Sequence, residues 1–73
     1  MALTPGTRYM EWAVEVAASA AALQTLINTK HQDDPPSQTI DGQDFSGTRW
    51  ELFEVEHDGT QFVAIFQRKN IAV

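Results

Sequence analysis

The sequence predicts an α+β fold of the type β-α-β-β, in which a small antiparallel hairpin sheet packs on one helix. Three observations predict it. Two runs rich in β-branched and aromatic residues flank an Asp-Gly pair near the C-terminus. A polar–apolar alternation occupies the N-terminal third, and an alanine-rich stretch with helical spacing follows it.

Residues 50–56 and 61–68 form the two strands of the predicted hairpin. Asp58 and Gly59 lie between them and tolerate the positive φ that a two-residue type I′ turn demands. The predicted register pairs are His57 with Thr60, Val55 with Phe62, Phe53 with Ala64 and Leu52 with Ile65.

Both faces of this hairpin are apolar, whereas a small sheet with one solvated face alternates more cleanly between polar and apolar residues. We therefore expect one face to pack on the helix and the other to bind a protein. The set expected to pack around the helix is Met10, Trp12, Val14, Leu23, Leu26, Trp50, Leu52, Val63 and Ile65. The candidate interface residues on the other face are Phe53, Val55, Phe62 and Phe66.

The N-terminal segment fits two structures. Residues 9–16 alternate between apolar and polar side chains, which predicts a half-buried strand. Ser19 is a suitable N-cap for a helix after it, and Lys30 and His31 suit the C-terminal end of that helix. An apolar stripe at helical spacing also runs through the segment, so one long helix over residues 9–31 is the alternative. A hairpin alone is rarely stable and needs a third strand, which favours the first structure.

Residues 32–48 are expected to form a long acidic loop containing proline and glycine. Pro35 and Pro36 stop the helix and favour extended backbone. The segment has no periodic apolar pattern, so we expect it to be mobile and to be a candidate contact for a basic partner. Its four acidic residues are Asp33, Asp34, Asp41 and Asp44.

Length and charge limit the classes of function. A chain of 73 residues is too short for two independent cores and makes a single domain. The net charge of -5 repels phosphate backbones, which disfavours direct nucleic-acid binding and favours a basic protein partner. The absence of cysteine removes disulfides and leaves no mark of an oxidising compartment, so the expected location is the cytoplasm. We find neither a secretory signal nor a run that would cross a membrane.

No motif indicates catalysis, a cofactor or a metal ion. Residues 42–49 are similar to a phosphate-binding loop, but they lack its lysine and precede a strand where that loop precedes a helix. Asp41 and Asp44 do not have the alternate spacing of a calcium loop. No nucleophile elbow occurs, and His57 lies at a hairpin tip where a dry site is hard to build. We therefore expect no enzymatic activity.

Three segments are similar to a family of short bacterial domains of unknown function. Residues 9–16 resemble the Trp-containing first strand of that family. Trp50-Glu51-Leu52 resembles its Gly-Trp-Glu-Leu motif, with Arg49 in place of the glycine, and residues 62–69 resemble its closing strand. The resemblance implies a strand–helix–hairpin fold and assigns neither catalytic residues nor a substrate.

These observations predict a non-catalytic protein–protein interaction module that self-associates, as a homodimer, through the apolar hairpin face. The alternative is a small acidic inhibitor or nucleic-acid mimic, of the sort that phages encode, which occupies a basic groove on a target protein. Charge geometry separates the two functions. A mimic needs rows of acids at phosphate-like spacing, whereas an interaction module needs an apolar centre with a polar rim.

Overall fold

A computed structural model describes residues 4–73, in which one helix packs on five antiparallel strands. The elements are β1 (Arg8–Ala17), α1 (Ala20–Gln32), β2 (Ser37–Ile40), β3 (Gln43–Gly47), β4 (Glu51–His57) and β5 (Phe62–Ala72). The α+β prediction is confirmed. The chain forms a strand and then a helix over residues 8–32, so the alternative of one long N-terminal helix is wrong.

Strand β5 is the centre of the sheet. Strand β1 pairs with one of its edges along its whole length, from Arg8 opposite Ile71 to Ala17 opposite Phe62. The other edge of β5 is shared, because β4 pairs with its first half and β3 with its last residues. Strand β2 lies outside β3. The eleven residues of β5 are long enough to hold two strands end to end on one edge.

Both ends of α1 are capped by side chains. Ser19 is the N-cap, as predicted, and its hydroxyl accepts the backbone N–H of Ala22 at 3.1 Å. At the other end the Arg49 guanidinium donates to the carbonyls of residues 31–33 at 3.0–3.3 Å. An α-helix leaves its last carbonyls without intrahelical partners, and a cation there also complements the helix dipole. Arg49 therefore ties the start of β4 to the end of α1.

The core lies between α1 and one face of the sheet. Trp50, Ala64 and Phe66 are buried at its centre. The side chains that pack around them are Ala13, Leu23, Leu26, Ile27 and Val55. We call this side of the sheet the covered face and the opposite side the open face.

The predicted assignment of the two sheet faces is wrong for several strand residues, although Trp50 packs against α1 as predicted. Val55 and Phe66, expected at an interface, lie under α1, whereas Trp12 and Val14, expected against α1, are exposed. The odd-numbered residues of β1 point to the covered face, and they include the small Ala13, which packs in the core with the residues of α1. The large apolar residues of β1 consequently lie on the open face.

The connection between β4 and β5 is longer than predicted. Gly59 has the expected positive φ, 99°, but the connection comprises the four residues 58–61. The carboxylate of Asp58 accepts two backbone N–H groups within this turn, each at 2.9 Å. A side chain that satisfies two backbone donors stabilises the longer turn. His57 therefore pairs with Phe62, two residues further along β5 than predicted.

Residues 32–48, expected to be a mobile loop, contain a second hairpin. Strand β2 pairs with β3 over all of its four residues. Asp41 and Gly42 make the turn with φ of 51° and 78°, the left-handed backbone that an Asp-Gly pair tolerates. The same turn signal that marks the later hairpin therefore marks this one too, but its strands are mostly polar, with Ile40 and Phe45 as their large apolar residues, and this concealed it.

This second hairpin curls over the covered face beside α1. Gln38 of β2 donates to the Glu11 carboxylate of β1 at 3.1 Å, although β3 and β5 separate the two strands within the sheet. Tyr9 and Phe45 meet edge to face with ring centroids 4.9 Å apart. The helix and the hairpin together shield one side of the sheet. Within residues 4–73, nothing shields the other side.

Candidate binding surface

The open face carries a row of exposed apolar side chains from β1 and β4. The exposed fractions are 38% for Met10, 51% for Trp12, 64% for Val14, 54% for Val16 and 55% for Phe53. Large side chains have areas of about 150–250 Å², so these five expose on the order of 500 Å² together. An apolar patch of that size makes this face the candidate binding surface of the protein.

A β-bulge places Phe53 on this face. Leu52 and Glu54 pair with consecutive residues of β5, which leaves Phe53 as an extra residue in the strand. Without the bulge, strict alternation along β4 would place Phe53 and Glu54 on different faces, with Phe53 on the covered face. The bulge instead lets the Phe53 ring meet the Trp12 indole edge to face, with centroids 5.0 Å apart. Two aromatic rings therefore form the middle of the open face.

An acidic group borders one end of the open face, near the turn between β4 and β5. Glu54 lies opposite Ile65, and Glu56 lies opposite Val63. Residues directly opposite one another on neighbouring strands share a face, so both carboxylates lie on the open face. Both side chains are exposed.

A basic group borders the other end. Lys69 of β5 lies opposite Met10, and Arg8 of β1 lies opposite Ile71. Both cations are exposed on the open face. Asp44 of β3 lies one strand further out, and its carboxylate accepts a threonine hydroxyl of β2 at 2.6 Å. The open face thus has an apolar centre between an acidic and a basic end.

On the covered face, a partly buried polar cluster joins three strands. The Glu11 carboxylate accepts hydrogen bonds from Arg68 at 2.8 Å, from Asn70 at 2.9 Å and from Gln38 at 3.1 Å. Burial raises the pKa of Glu11, but the hydrogen bonds from Arg68, Gln38 and Asn70 together outweigh burial, so the pKa lies below its ordinary value. The cluster therefore holds an ionised carboxylate against a cation and stabilises the fold.

Two cations also lie over the buried Trp50 indole. The Arg68 guanidinium is 4.3 Å from the ring centroid and the Lys30 ammonium is 4.9 Å from it. Lys30 in turn pairs with Glu15 at 2.8 Å. Cations over a tryptophan face are attracted by its ring quadrupole. The inward-pointing carboxylate of Glu15 on β1 is thereby paired with a cation.

The four candidate interface residues are not brought together. Phe53 lies on the open face, whereas Val55 and Phe66 pack in the core. Phe62 meets the His57 ring edge to face at 4.7 Å beside the turn. Of this set, only Phe53 belongs to the surface described above.

Sequence reasoning missed the β1 part of the surface, Met10, Trp12, Val14 and Val16. The available signal was the size difference within the alternation. The residues that alternate with them include Ala13 and Ala17, and small side chains on one side of a strand favour close approach of a helix there.

The four acids proposed as a partner contact fall into two places. Asp33 is the C-cap of α1, and Asp34 lies 3.5 Å from Arg49. Asp41 lies in the turn of the β2–β3 hairpin, and Asp44 lies on β3. The structure therefore divides them between a helix end and a hairpin instead of gathering them on one loop.

Within residues 4–73 no three His, Asp or Glu side chains gather into a group that would hold a metal ion. In the same part of the chain no helix combines the length and apolar character needed to cross a membrane. Comparison of the chain with protein-family models, with curated proteins and with solved structures gives no match. The resemblance to the short bacterial domain family stays a prediction.

Proposed function

We propose that this protein is a non-catalytic protein–protein interaction module that binds through the open face. The observation that carries the proposal is the Trp12–Phe53 pair, two half-exposed rings packed on each other at the middle of an apolar surface. Protein interfaces have this composition, with aromatic residues at the centre and a charged rim.

The shape of the fold supports the same function. A single sheet with one helix layer covers only one of its faces, and the other face is normally polar when it meets water. Here the uncovered face keeps large apolar side chains along β1. Burying them against a partner would recover about 25 cal/mol for each Å² of apolar area removed from water.

The chemistry of the charged groups supports a binding function over a catalytic one. Glu11 and Arg68 are held by each other, and Lys30 is held by Glu15. Groups paired in this way contribute to the fold and are not placed to exchange protons with a substrate. His57 lies at the exposed hairpin end, against the Phe62 ring, with its Nδ1 accepting a backbone N–H of the turn at 3.1 Å.

A second function, that of an acidic inhibitor or nucleic-acid mimic, is favoured by one observation. Glu51, Glu54 and Glu56 follow one another along β4 on the side of the open face. These carboxylates border an apolar centre and do not cover it, so we rank this function second. Changing all three to Gln separates the functions, since it would abolish binding by a mimic and only weaken binding by an apolar centre.

Site-specific photo-cross-linking tests the proposed function. In cells that produce the protein with a photoreactive phenylalanine analogue in place of Phe53, illumination should cross-link it to one defined partner. That partner is either another protein or a second copy of this chain. The control places the analogue at Thr29, an exposed position on α1. Equal cross-linking from both positions, or none from Phe53, would contradict the proposal.

A further inference from the structure

We infer that the partner on the open face is a second copy of this chain, turned antiparallel about a two-fold axis that crosses the strands at the level of Gln67. This inference rests on the proposed function and specifies its partner. The observation behind it is the charge pattern at the two ends of the open face, which is complementary to itself.

The positions of the charges are symmetric along β5. Glu54, opposite Ile65, lies two residues before the level of Gln67, and Lys69 lies two residues after it. Glu56, opposite Val63, lies four residues before that level. Arg8, opposite Ile71, lies four residues after it. Glu54 and Glu56 therefore each have a cation at the mirror position along the strand direction.

A two-fold axis at this level brings opposite charges together. It reverses the strand direction of the second copy and places its basic end over the acidic end of the first. Glu54 of each copy then lies at the level of Lys69 of the other copy, and Glu56 at the level of Arg8. The acids lie on β4 and the cations on β5 and β1, so the strands of the two sheets must also cross. Stacked twisted sheets cross by about 30°.

The same axis brings the apolar centres together. Trp12 lies opposite Gln67, so it lies close to the axis and meets its own counterpart in the second copy. In a two-fold interface the same patch serves both partners, as this arrangement requires. The Trp12–Phe53 pair of each copy thereby becomes buried against that of the other.

The dimensions fit a modest dimer interface. Three strands spaced at about 4.8 Å and ten residues at about 3.3 Å each give a footprint of roughly 14 by 33 Å. That footprint, roughly 460 Å² per partner, is smaller than the about 800 Å² per partner of a standard specific interface and lies in the range of weak, transient ones. We expect a dimer that dissociates in the micromolar range.

Charge-swapped variants test the arrangement. One variant carries Glu54→Lys and Glu56→Lys, and the other carries Arg8→Glu and Lys69→Glu. Each variant alone places like charges opposite one another across the interface, so each should sediment as a monomer at concentrations where the unchanged protein is a dimer. An equimolar mixture restores every opposite-charge pair and should form a heterodimer, visible by sedimentation velocity and by native mass spectrometry.

The outcomes separate this inference from the proposed function. A heterodimer formed only by the mixture supports the antiparallel arrangement. Unchanged dimers of both variants, or a mixture that remains monomeric, would overturn it. An unchanged protein that remains a monomer of about 8 kDa at hundreds of micromolar would overturn the second copy as partner. In that case, cross-linking of the Phe53 position to a different protein would leave the proposed function standing.

Circular dichroism shows whether each variant is folded. The four charged side chains are exposed, so the variants should keep the fold.

Discussion

Trp12 and Phe53 meet edge to face across the central strand of the sheet, with ring centroids 5.0 Å apart. They belong to β1 and β4, which flank β5 on opposite edges. Their side chains therefore reach over β5 towards each other and form a ridge on the open face. Two rings that already hold each other lose little further conformational freedom on binding, which is the property of an interface anchor.

The two tryptophans should respond differently to truncation. Trp50→Ala removes a buried ring and two cation–π contacts, so we expect it to lower the free energy of unfolding by about 3–5 kcal/mol. Trp12→Ala removes a ring that is half exposed and should cost about 1 kcal/mol or less. Urea denaturation in dilute solution, where the chain is monomeric, measures both. Equal losses would contradict the distinction between covered and open face.

Gly59 should resist substitution by a β-branched residue. Its φ of 99° lies in a region that such residues avoid, although a Cβ there would have open space around it. Gly59→Val is therefore expected to cost on the order of 1–2 kcal/mol through backbone strain alone. Thr60→Val, at the adjacent exposed position, is the matched control. The prediction is wrong if thermal denaturation gives the same melting temperature for both variants.

The first strand, the helix and the C-terminal hairpin were predictable because each has a local cause. The Ser19 cap, the alternation in β1 and the glycine turn near residue 59 depend only on neighbouring residues, and all appear in the structure. The choice of face was not predictable in the same way. The chosen face places the inward carboxylate of Glu11 against Arg68, a partner that lies 57 residues away in the chain and that no local pattern indicates.

The position of Phe53 on the open face was not predictable from its neighbours either. A bulge shifts one residue of β4 out of alternation, and no turn residue or glycine in the sequence marks it. The β2–β3 hairpin was missed because its strands contain mostly polar residues, and its covered position comes from contacts such as Tyr9 with Phe45. Contacts of this kind join residues that are far apart in the chain, and they form only because the whole sheet curls.

Arg49 should stabilise α1 from outside the helix. Arg49→Met keeps an unbranched side chain but removes the guanidinium that donates to the carbonyls of residues 31–33. We expect a loss of about 1 kcal/mol, since these bonds are solvent-exposed and combine hydrogen bonding with the helix dipole. Lys69→Met, which removes an exposed cation of the open face, is the control, and both variants are measured at concentrations below those at which the expected dimer forms. Faster amide exchange confined to the last turn of α1 would identify the cause.

Stability should depend on the ionisation of Glu11. Its pKa is lowered below the ordinary 4.5, so the ionised form stabilises the fold above that pH and this contribution is lost as the pH falls through the lowered pKa. Glu11→Gln should cost about 1 kcal/mol at neutral pH, a discounted value because the side chain is 34% exposed. The difference from the unchanged protein should shrink below pH 4. A constant difference between pH 7 and pH 3 would contradict this.

Glu51 provides a test of the two-fold axis that does not disrupt the interface. Glu51 lies opposite Gln67, the level at which the proposed axis crosses the strands, so the Glu51 carboxylates of the two copies lie near each other. Like charges brought close on association oppose it, and the repulsion is stronger at low salt. Glu51→Gln should therefore tighten self-association several-fold at low ionic strength and have a smaller effect at high salt.

The matched control is Glu56→Gln, on the same strand but at the acidic end, where the second copy places Arg8. Removing that carboxylate loses an attraction and should weaken self-association. Sedimentation equilibrium at two salt concentrations measures both variants. Opposite signs for two Glu→Gln changes on one strand follow from the position of the axis, because net charge alone would make both variants associate more tightly. If both changes strengthen association equally, the copies do not meet about an axis at Gln67.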